Sequence, residues 1–259
     1  MKNGGRSVFS KDPFGELSHA AKCPGLKQRF PDRVLVMTTD RCFGTCAHCT
    51  RRWILGQSKV VETAAELKAC VAYVKAHPQV RDVLLSGGDV LTLPDKKVME
   101  FVNAFAALKQ VEVIRICTRA LVSNPKRITD RLARLLAKSG KVWANVHINT
   151  AAEAKIAGAS AAKLVSRGIP VSSQTVLLKG TNDTPEKMLK LLQTLSAARI
   201  RPYYVFQCDP VAGLEKFRVP LAKAKRIERL CAEHIGGLAL PRFVADLPGA
   251  KRKTPLDLL

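Results

Sequence analysis

Residues 34–49 read VLVMTTDRCFGTCAHC, an apolar run that leads directly into three closely spaced cysteines. The apolar run is typical of a buried strand, and Cys42, Cys46 and Cys49 follow it in a CxxxCxxC spacing. Three thiolates on one loop can bind three irons of a four-iron four-sulfur cluster and leave the fourth iron open to a small molecule. The alternatives are a zinc loop and three reduced core thiols. Zinc ordinarily takes a fourth nitrogen or sulfur ligand and paired CxxC spacings.

Apolar runs alternate with amphipathic stretches along the chain. Predicted strands cover residues 34–39, 83–86, 113–118, 142–149, 171–178 and 203–208, with a last apolar run at 238–244. Predicted helices cover residues 63–77, 96–108, 128–139, 151–167, 185–198 and 221–234. This order implies parallel strands and an α/β fold, a partial (βα)6 TIM-like barrel with its site at the strand C-terminal ends. We expect an N-terminal extension over residues 1–29 and one domain over 30–259.

The composition is ordinary for a globular protein, with 47% hydrophobic and 25% charged residues among 259. No apolar run reaches the roughly 20 residues of a membrane span, and we recognise no signal peptide. Five cysteines outside the motif are scattered along the chain, which predicts reduced thiols and a cytoplasmic location. They are Cys23, Cys70, Cys117, Cys208 and Cys231.

The chain is strongly basic, with 43 Lys and Arg against 21 Asp and Glu and a net charge of +22. Such an excess can attract nucleic acid. The basic residues are nevertheless spread along the chain, and only 5% of the residues are aromatic, too few for a base-stacking platform. Anionic cofactors and amino-acid carboxylates also need basic pockets, so we disfavour a nucleic-acid partner.

Polar residues stand at the ends of the predicted strands. Ser86-Gly87-Gly88-Asp89 follows the second strand and offers a bare backbone that a ligand can approach closely. A plain strand-to-helix turn is the alternative for this segment. Further polar residues on or after the next four strands are Arg119, His147, Asn149, Gln174 and Asp209.

A Pro-Gly turn rich in lysine follows the last apolar run, where residues 246–255 read DLPGAKRKTP. This turn can place an ammonium group in the mouth of a barrel. A desolvated lysine near other cations has a lowered pKa and can form a Schiff base. A basic surface tail is the alternative.

Seven collinear segments resemble the lysine 2,3-aminomutase family of radical S-adenosylmethionine (SAM) enzymes, which also use pyridoxal phosphate. They are FPDRVL at 30–35, CTRR at 49–52, DVLLSGGD at 82–89, SQTVLL at 173–178, RPYY at 201–204, QCD at 207–209 and KTP at 253–255. By this resemblance the three motif cysteines hold the cluster and Lys253 carries the pyridoxal, with Lys251 as a minor rival.

The resemblance also implies roles for the polar residues at the strand ends. His48 resembles the adenine contact, residues 86–89 meet the methionine part of SAM, and His147 and Gln174 are further SAM-side groups. Arg51 matches the arginine that binds the substrate carboxylate. Asp209 and Asp246 match the two carboxylates that bind the distal ammonium group of lysine. Independently of any family, two converging acidic groups favour a cationic side chain and repel an anionic one.

The chain departs from the larger members of this family, which carry a longer N-terminal helical region and a C-terminal cysteine cluster that binds zinc between subunits. Thr184 stands in place of the partner cysteine, and Leu259 follows Lys253 by six residues. We therefore expect any homo-oligomer to form without intersubunit zinc. The ending KTPLDL at 253–258 is similar to the aminomutases that supply β-lysine for elongation factor P.

The resemblance implies an isomerase that interconverts L-lysine and β-lysine through a deoxyadenosyl radical and a lysine–pyridoxal aldimine. Its cofactors would be a 4Fe-4S cluster, SAM and pyridoxal 5′-phosphate, and its reductant a protein such as flavodoxin or ferredoxin. Two other classes stay open. One is a radical SAM enzyme that modifies RNA or protein without pyridoxal phosphate. The other is a cluster-bearing electron-transfer or regulatory module without turnover.

Overall fold

A computed structural model of the protein describes residues 9–17, 23–57 and 59–259. The strands are β1 (Leu26–Phe30), β2 (Arg33–Thr39), β3 (Asp82–Gly87), β4 (Val113–Thr118), β5 (Val142–His147), β6 (Val171–Leu177), β7 (Arg201–Gln207), β8 (Arg242–Ala245) and β9 (Thr254–Pro255). The helices are α1 (Ala64–Ala76), α2 (Asp95–Ala106), α3 (Ala120–Ser123), α4 (Asp130–Ala137), α5 (Ala151–Val165), α6 (Pro185–Ala197) and α7 (Leu221–His234).

The nine strands form one sheet in chain order from β1 to β9. Strands β2 to β8 are parallel, while β1 and β9 pair antiparallel with β2 and β8 at the two edges. Helices α1, α2, α4, α5, α6 and α7 connect successive parallel strands. This order gives six βα units and confirms the predicted radical SAM-type partial barrel.

The predicted strands and helices agree with the observed ones to within a few residues. The last apolar run, predicted at 238–244, forms a strand only over Arg242–Ala245. The predicted extension over residues 1–29 lies partly outside the described residues, and β1 crosses its boundary at residue 29. Within the described ranges, no helix is long and apolar enough to cross a membrane.

Threonine side chains determine where four of the helices begin. The hydroxyl groups of Thr63, Thr129, Thr150 and Thr184 each accept a hydrogen bond from the amide three residues later. Glu66 completes a capping box at α1, because its carboxylate accepts a hydrogen bond from the amide of Thr63 at 3.0 Å. Each cap gives the loop before its helix a defined end, which helps to hold the loops at the mouth of the barrel.

The apolar core lies between the outer face of the sheet and the helices. In β4, Ile114 and Ile116 are buried with Phe101 and Phe105 of α2. Side chains alternate along a strand, so the half-buried Arg115 projects to the opposite face, toward the barrel interior. The barrel interior therefore holds a charged side chain at this position, and the mouth at the strand C-terminal ends carries the residues described next.

Candidate active site

The cysteine loop begins where β2 ends. Cys42 is exposed, whereas Cys46 and Cys49 are half-buried in a turn in which the Cys49 amide donates to the Cys46 carbonyl oxygen at 3.1 Å. Although Cys42 is exposed to solvent, desolvation of its thiolate by the surrounding protein, with a smaller effect of the Asp89 carboxylate, raises the pKa of Cys42 to about 11. The metal-free loop therefore holds protonated Cys42, and binding of iron there must displace a proton.

The thiols of this loop do not form a site for a single metal ion. In the part of the chain that the structure describes, no three His, Cys, Asp or Glu side chains converge on one point as ligands of a single ion. A four-iron cluster does not require such a point, because its three thiolates bind three different irons. The donor set, three thiols on one loop at the barrel mouth, fits this cluster.

Gly87 and Gly88 allow the backbone of β3 to approach the start of the cysteine loop. A Cβ atom at Gly87 would lie 2.2 Å from the Thr39 carbonyl oxygen, and one at Gly88 would lie 2.1 Å from the Arg41 carbonyl oxygen. The Gly88 and Asp89 amides donate to these same two oxygens at 2.6 and 2.7 Å. The protein itself therefore uses both amides, and a contact of this segment with SAM, still a prediction, must involve other atoms.

Asp89 is buried and bonded to protein groups on both carboxylate oxygens. Oδ1 accepts hydrogen bonds from the Leu91 amide at 3.0 Å and the Thr118 hydroxyl at 2.7 Å, and Oδ2 accepts from the Arg119 amide at 2.8 Å. Burial raises the pKa of Asp89, although the Arg119 amide opposes this effect. Asp89 thus ties the end of β3 to the end of β4. The contact of Asp89 with SAM that the resemblance implies stays a prediction.

Three of the predicted SAM-side groups lie together. The rings of His48 and His147 are edge-on with centroids 5.1 Å apart, and Gln174 is the register partner of His147 on the neighbouring strand. Burial lowers the pKa of His48 to about 4 and that of His147 to about 3, so both rings are neutral at pH 7. The buried Nε2 atom of His147 has no hydrogen-bond partner among the described residues.

Asn149 orients His48 and was predicted only as a polar residue at a strand end. Its Oδ1 accepts from the Val176 amide at 2.9 Å, which leaves its Nδ2 to donate to His48 Nε2 at 3.1 Å. The His48 proton therefore resides on Nδ1. Asn182, which the sequence did not single out, donates to the Asn149 carbonyl oxygen at 3.0 Å and supports this arrangement.

Arg51 lies at the mouth with its guanidinium group paired to Glu16. Arg51 Nε is 2.7 Å from Glu16 Oε2, and Nη2 is 3.0 Å from Oε1. Burial alone would raise the pKa of Glu16, but the charge and hydrogen bonds of Arg51 bring it below its usual range. Glu16 lies in the predicted extension, and no motif in the sequence indicated a role for it.

Asp209 and Asp246 follow the ends of β7 and β8. Asp246 Oδ1 is 2.8 Å from Arg29 Nη1, and Oδ2 contacts the Lys253 ammonium group. Among the described residues, the buried Oδ1 of Asp209 has no hydrogen-bond partner. Burial, together with the charge of Asp246, raises the pKa of Asp209 to about 7. Within the described residues, Asp209 is therefore the carboxylate of the pair without a bound cation. Arg29, which the sequence did not indicate, holds Asp246.

Lys253 lies directly before β9 in a half-buried position. Its ammonium group is 5.6 Å from the ring centroid of Phe30 and 5.5 Å from that of Phe206. Lys251, the rival, is exposed. A partly accessible amine between two aromatic rings fits a lysine that carries pyridoxal, and this placement favours Lys253.

Replacing Asp209 by Asn should make the stability of the ligand-free protein less dependent on pH. The pKa of Asp209, about 7, lies above its ordinary value of 3.8. The wild type should therefore lose stability as the pH rises from about 4 through about 7, by on the order of 4 kcal/mol at most. Urea unfolding of both proteins at pH 5 and pH 8 measures this difference, with Asp257→Asn at an exposed site as the control. Equal pH dependence in wild type and Asp209→Asn would contradict the account.

Comparison with known proteins gives the family. The model of the radical SAM superfamily matches residues 36–192. The L-lysine 2,3-aminomutase of Acetoanaerobium sticklandii is 44% identical over 95% of this chain and 59% of its own length. A Treponema pallidum protein, provisionally named for the same activity, is 36% identical over 96% of this chain and 70% of its own length. The glutamate 2,3-aminomutase of Clostridioides difficile is 34% identical over 95% of this chain and 58% of its own length.

A solved structure agrees with the fold. Streptococcus suis SuiB bound to S-adenosylmethionine is similar with a TM-score of 0.61 over 84% of this chain and 51% of its own, at 18% identity. Fold and cysteine loop together define a radical SAM protein, a class that implies a 4Fe-4S cluster and SAM. Within that superfamily, the chain belongs to the lysine 2,3-aminomutase family. It spans about three fifths of the length of curated L-lysine 2,3-aminomutases that it matches.

Proposed function

We propose that the protein is a radical SAM aminomutase that interconverts L-lysine and β-lysine by a 2,3-amino shift. The observation that carries this proposal is the pair Asp209 and Asp246 at the mouth of a strongly basic protein. Asp209 presents a buried carboxylate oxygen that has no hydrogen-bond partner in the described part of the chain, and Asp246 pairs with Arg29 and Lys253. Such a pair attracts the distal ammonium group of lysine and repels the side-chain carboxylate of glutamate.

The residues divide between the two ends of the site. We assign Cys42, Cys46 and Cys49 to the cluster and Lys253 to pyridoxal phosphate. We assign the His48 side of the barrel to SAM, together with His147, Gln174 and residues 86–89. When bound, the cluster and SAM supply a deoxyadenosyl radical, and pyridoxal phosphate supplies the π-system for the nitrogen shift.

The protein's own contribution is to hold the substrate at both ends. Arg51 binds the α-carboxylate through its planar guanidinium group, and Asp209 and Asp246 bind the distal ammonium group. Arg29 keeps Asp246 in place through its ion pair. Fixing both ends of lysine places the reacting carbon against the SAM side and makes the encounter effectively intramolecular. On the SAM side, the neutral ring of His48 is held in its orientation by the hydrogen bond from Asn149.

Glutamate is the second candidate substrate, since one relative is named a glutamate 2,3-aminomutase. A radical SAM enzyme that acts on RNA or protein without pyridoxal phosphate is not favoured, because the relatives are named for isomerisation of free amino acids. A reductant such as flavodoxin or ferredoxin, and the oligomeric state, stay predictions.

We expect turnover of lysine to exceed that of glutamate by about 10⁴ or more, as in sites built on buried polar pairing. Asp209→Asn and Asp246→Asn should each cost lysine turnover on the order of 2–5 kcal/mol in transition-state stabilisation, by analogy with breaking a buried charge pair. Initial rates for both amino acids with the wild type and the two variants measure this.

Asp32→Asn is the matched control for these two variants. Asp32 is an exposed aspartate paired with Arg33 at the opposite end of the barrel, so its loss should leave lysine turnover unchanged. Comparable wild-type rates for lysine and glutamate, or full lysine turnover in both site variants, would remove the basis for lysine as the substrate. The aminomutase assignment itself could survive either result.

A further inference from the structure

The donors of Arg51 are shared between two groups of partners. The Glu16 carboxylate accepts hydrogen bonds from Nε and from one N–H of Nη2, as described above. Nη1 lies 3.2 Å from the Ser86 hydroxyl oxygen and 3.3 Å from the Gly87 carbonyl oxygen. Arginine has five N–H donors, so one N–H of Nη2 is left, on the edge that Nη2 shares with Nη1. A substrate carboxylate can approach Arg51 only along this second edge.

Glu16 is held firmly by its own segment. The Asp12 carboxylate accepts hydrogen bonds from the amides of Glu16 and Leu17 at 2.8 and 2.9 Å. Earlier in the segment, the Ser10 amide donates to the Pro210 carbonyl oxygen at 3.1 Å.

A second bond ties Ser10 to the loop after β7, because its carbonyl oxygen accepts from the Ala212 amide at 2.9 Å. The carbonyl oxygen of Glu16 also contacts the Lys27 ammonium group. These contacts fix the backbone at Glu16 relative to the barrel, and the carboxylate itself is held by Arg51.

We propose that Glu16 is a positioning residue for substrate recognition, which fixes the plane of the Arg51 guanidinium group so that its Nη1–Nη2 edge receives the α-carboxylate. This inference rests on the proposed function and adds a residue to its substrate site. A long arginine side chain has many rotamers, and chelation at Nε and Nη2 restricts it to one plane. The alternative is a placeholder that the substrate displaces from Arg51. Because Asp12 and Ser10 hold the backbone, displacement would have to occur by rotation of the Glu16 side chain, and the test below separates the two roles.

The pairing of Arg51 with Glu16 also determines which ligands Arg51 selects. Because Glu16 balances the charge of Arg51, the edge offers one directed hydrogen bond without a net positive charge. Recognition then depends on the geometry of a carboxylate that reaches this edge. The loss of Glu16 should therefore weaken binding only of ligands that carry the α-carboxylate.

The test compares two ligands by equilibrium dialysis against the cluster- and pyridoxal-loaded protein under anaerobic conditions. L-Lysine carries the carboxylate, and 1,5-diaminopentane is the same molecule without it. Glu16→Gln should weaken lysine binding roughly 10- to 100-fold, the range found when an outer partner of a ligating group is removed. The dissociation constant of 1,5-diaminopentane should change by less than about twofold, because it does not use Arg51.

Two further variants complete the design. Glu112→Gln removes a carboxylate from the exposed Arg81 pair and should change neither dissociation constant. Glu16→Asp keeps the negative charge but moves the carboxylate away from Arg51, so it should weaken binding of lysine and not of 1,5-diaminopentane. It takes the place of Glu16→Gln in the test if that protein does not fold. In steady-state assays, Glu16→Gln should raise KM for lysine more than it lowers kcat.

Three results separate the outcomes. Unchanged lysine affinity in Glu16→Gln and Glu16→Asp would overturn the positioning role. Tighter lysine binding would also overturn it, because it would mark Glu16 as a displaced placeholder. Equal affinities of the wild type for lysine and 1,5-diaminopentane would instead show that Arg51 does not bind the carboxylate, and would contradict the proposed substrate site as well.

Discussion

Cys46→Ala will lose the iron–sulfur cluster and all cleavage of SAM. Cys46 is the middle thiol of the loop, and each of the three thiolates binds a different iron. The cysteines outside the loop lie on other elements and cannot replace it at loop spacing. Iron content, cluster absorbance and release of deoxyadenosine after reduction measure the effect, and the same loss is expected for Cys42→Ala and Cys49→Ala.

The control is Cys231→Ala, which removes a thiol buried against the core on α7. This variant should keep its iron and its SAM cleavage and lose only some stability. If Cys46→Ala released deoxyadenosine at the wild-type rate, the assignment of the cluster to this loop would be wrong.

Lys253→Ala will lose the absorbance of lysine-bound pyridoxal and all aminomutation while it keeps its cluster. Lys253 is half-buried between Phe30 and Phe206, whereas the cluster loop follows β2 at the other end of the sequence. Absorbance spectra after addition of pyridoxal phosphate, before and after borohydride reduction, show which lysine is labelled.

Lys251→Ala is the matched control, because Lys251 is two residues away and exposed. It should keep both the pyridoxal and the cluster absorbance. The reverse pattern would assign the Schiff base to Lys251. If neither variant changed the pyridoxal absorbance, that result would contradict a role for pyridoxal.

The periodicity of the chain predicted the barrel well because parallel strands buried on both faces are continuous apolar runs with helical patterns between them. It missed β1 and β9, which are short edge strands with little apolar signal. It also extended the last strand to residue 238, although β8 covers only Arg242–Ala245 and pairs with β7 over residues 242–244.

Site residues that belong to a sequence motif could be predicted. Site residues that are defined by a contact between distant parts of the chain could not. The cysteine spacing and the SGGD segment could be read from the sequence. The packing role of Gly88 could not, because it depends on the Arg41 carbonyl oxygen, nearly fifty residues earlier in the chain. Glu16 and Arg29 were missed for the same reason, since an isolated charged residue has no periodicity or spacing that marks it.

The most direct test of lysine 2,3-aminomutation is to incubate the cluster- and pyridoxal-loaded protein anaerobically with L-lysine, SAM and dithionite and to separate the products. A parallel reaction with L-glutamate tests the role of Asp209 and Asp246. The account predicts β-lysine, formed only when SAM and reductant are both present, and no comparable formation of β-glutamate. Cleavage of SAM without β-lysine, or formation of β-glutamate in its place, would contradict it.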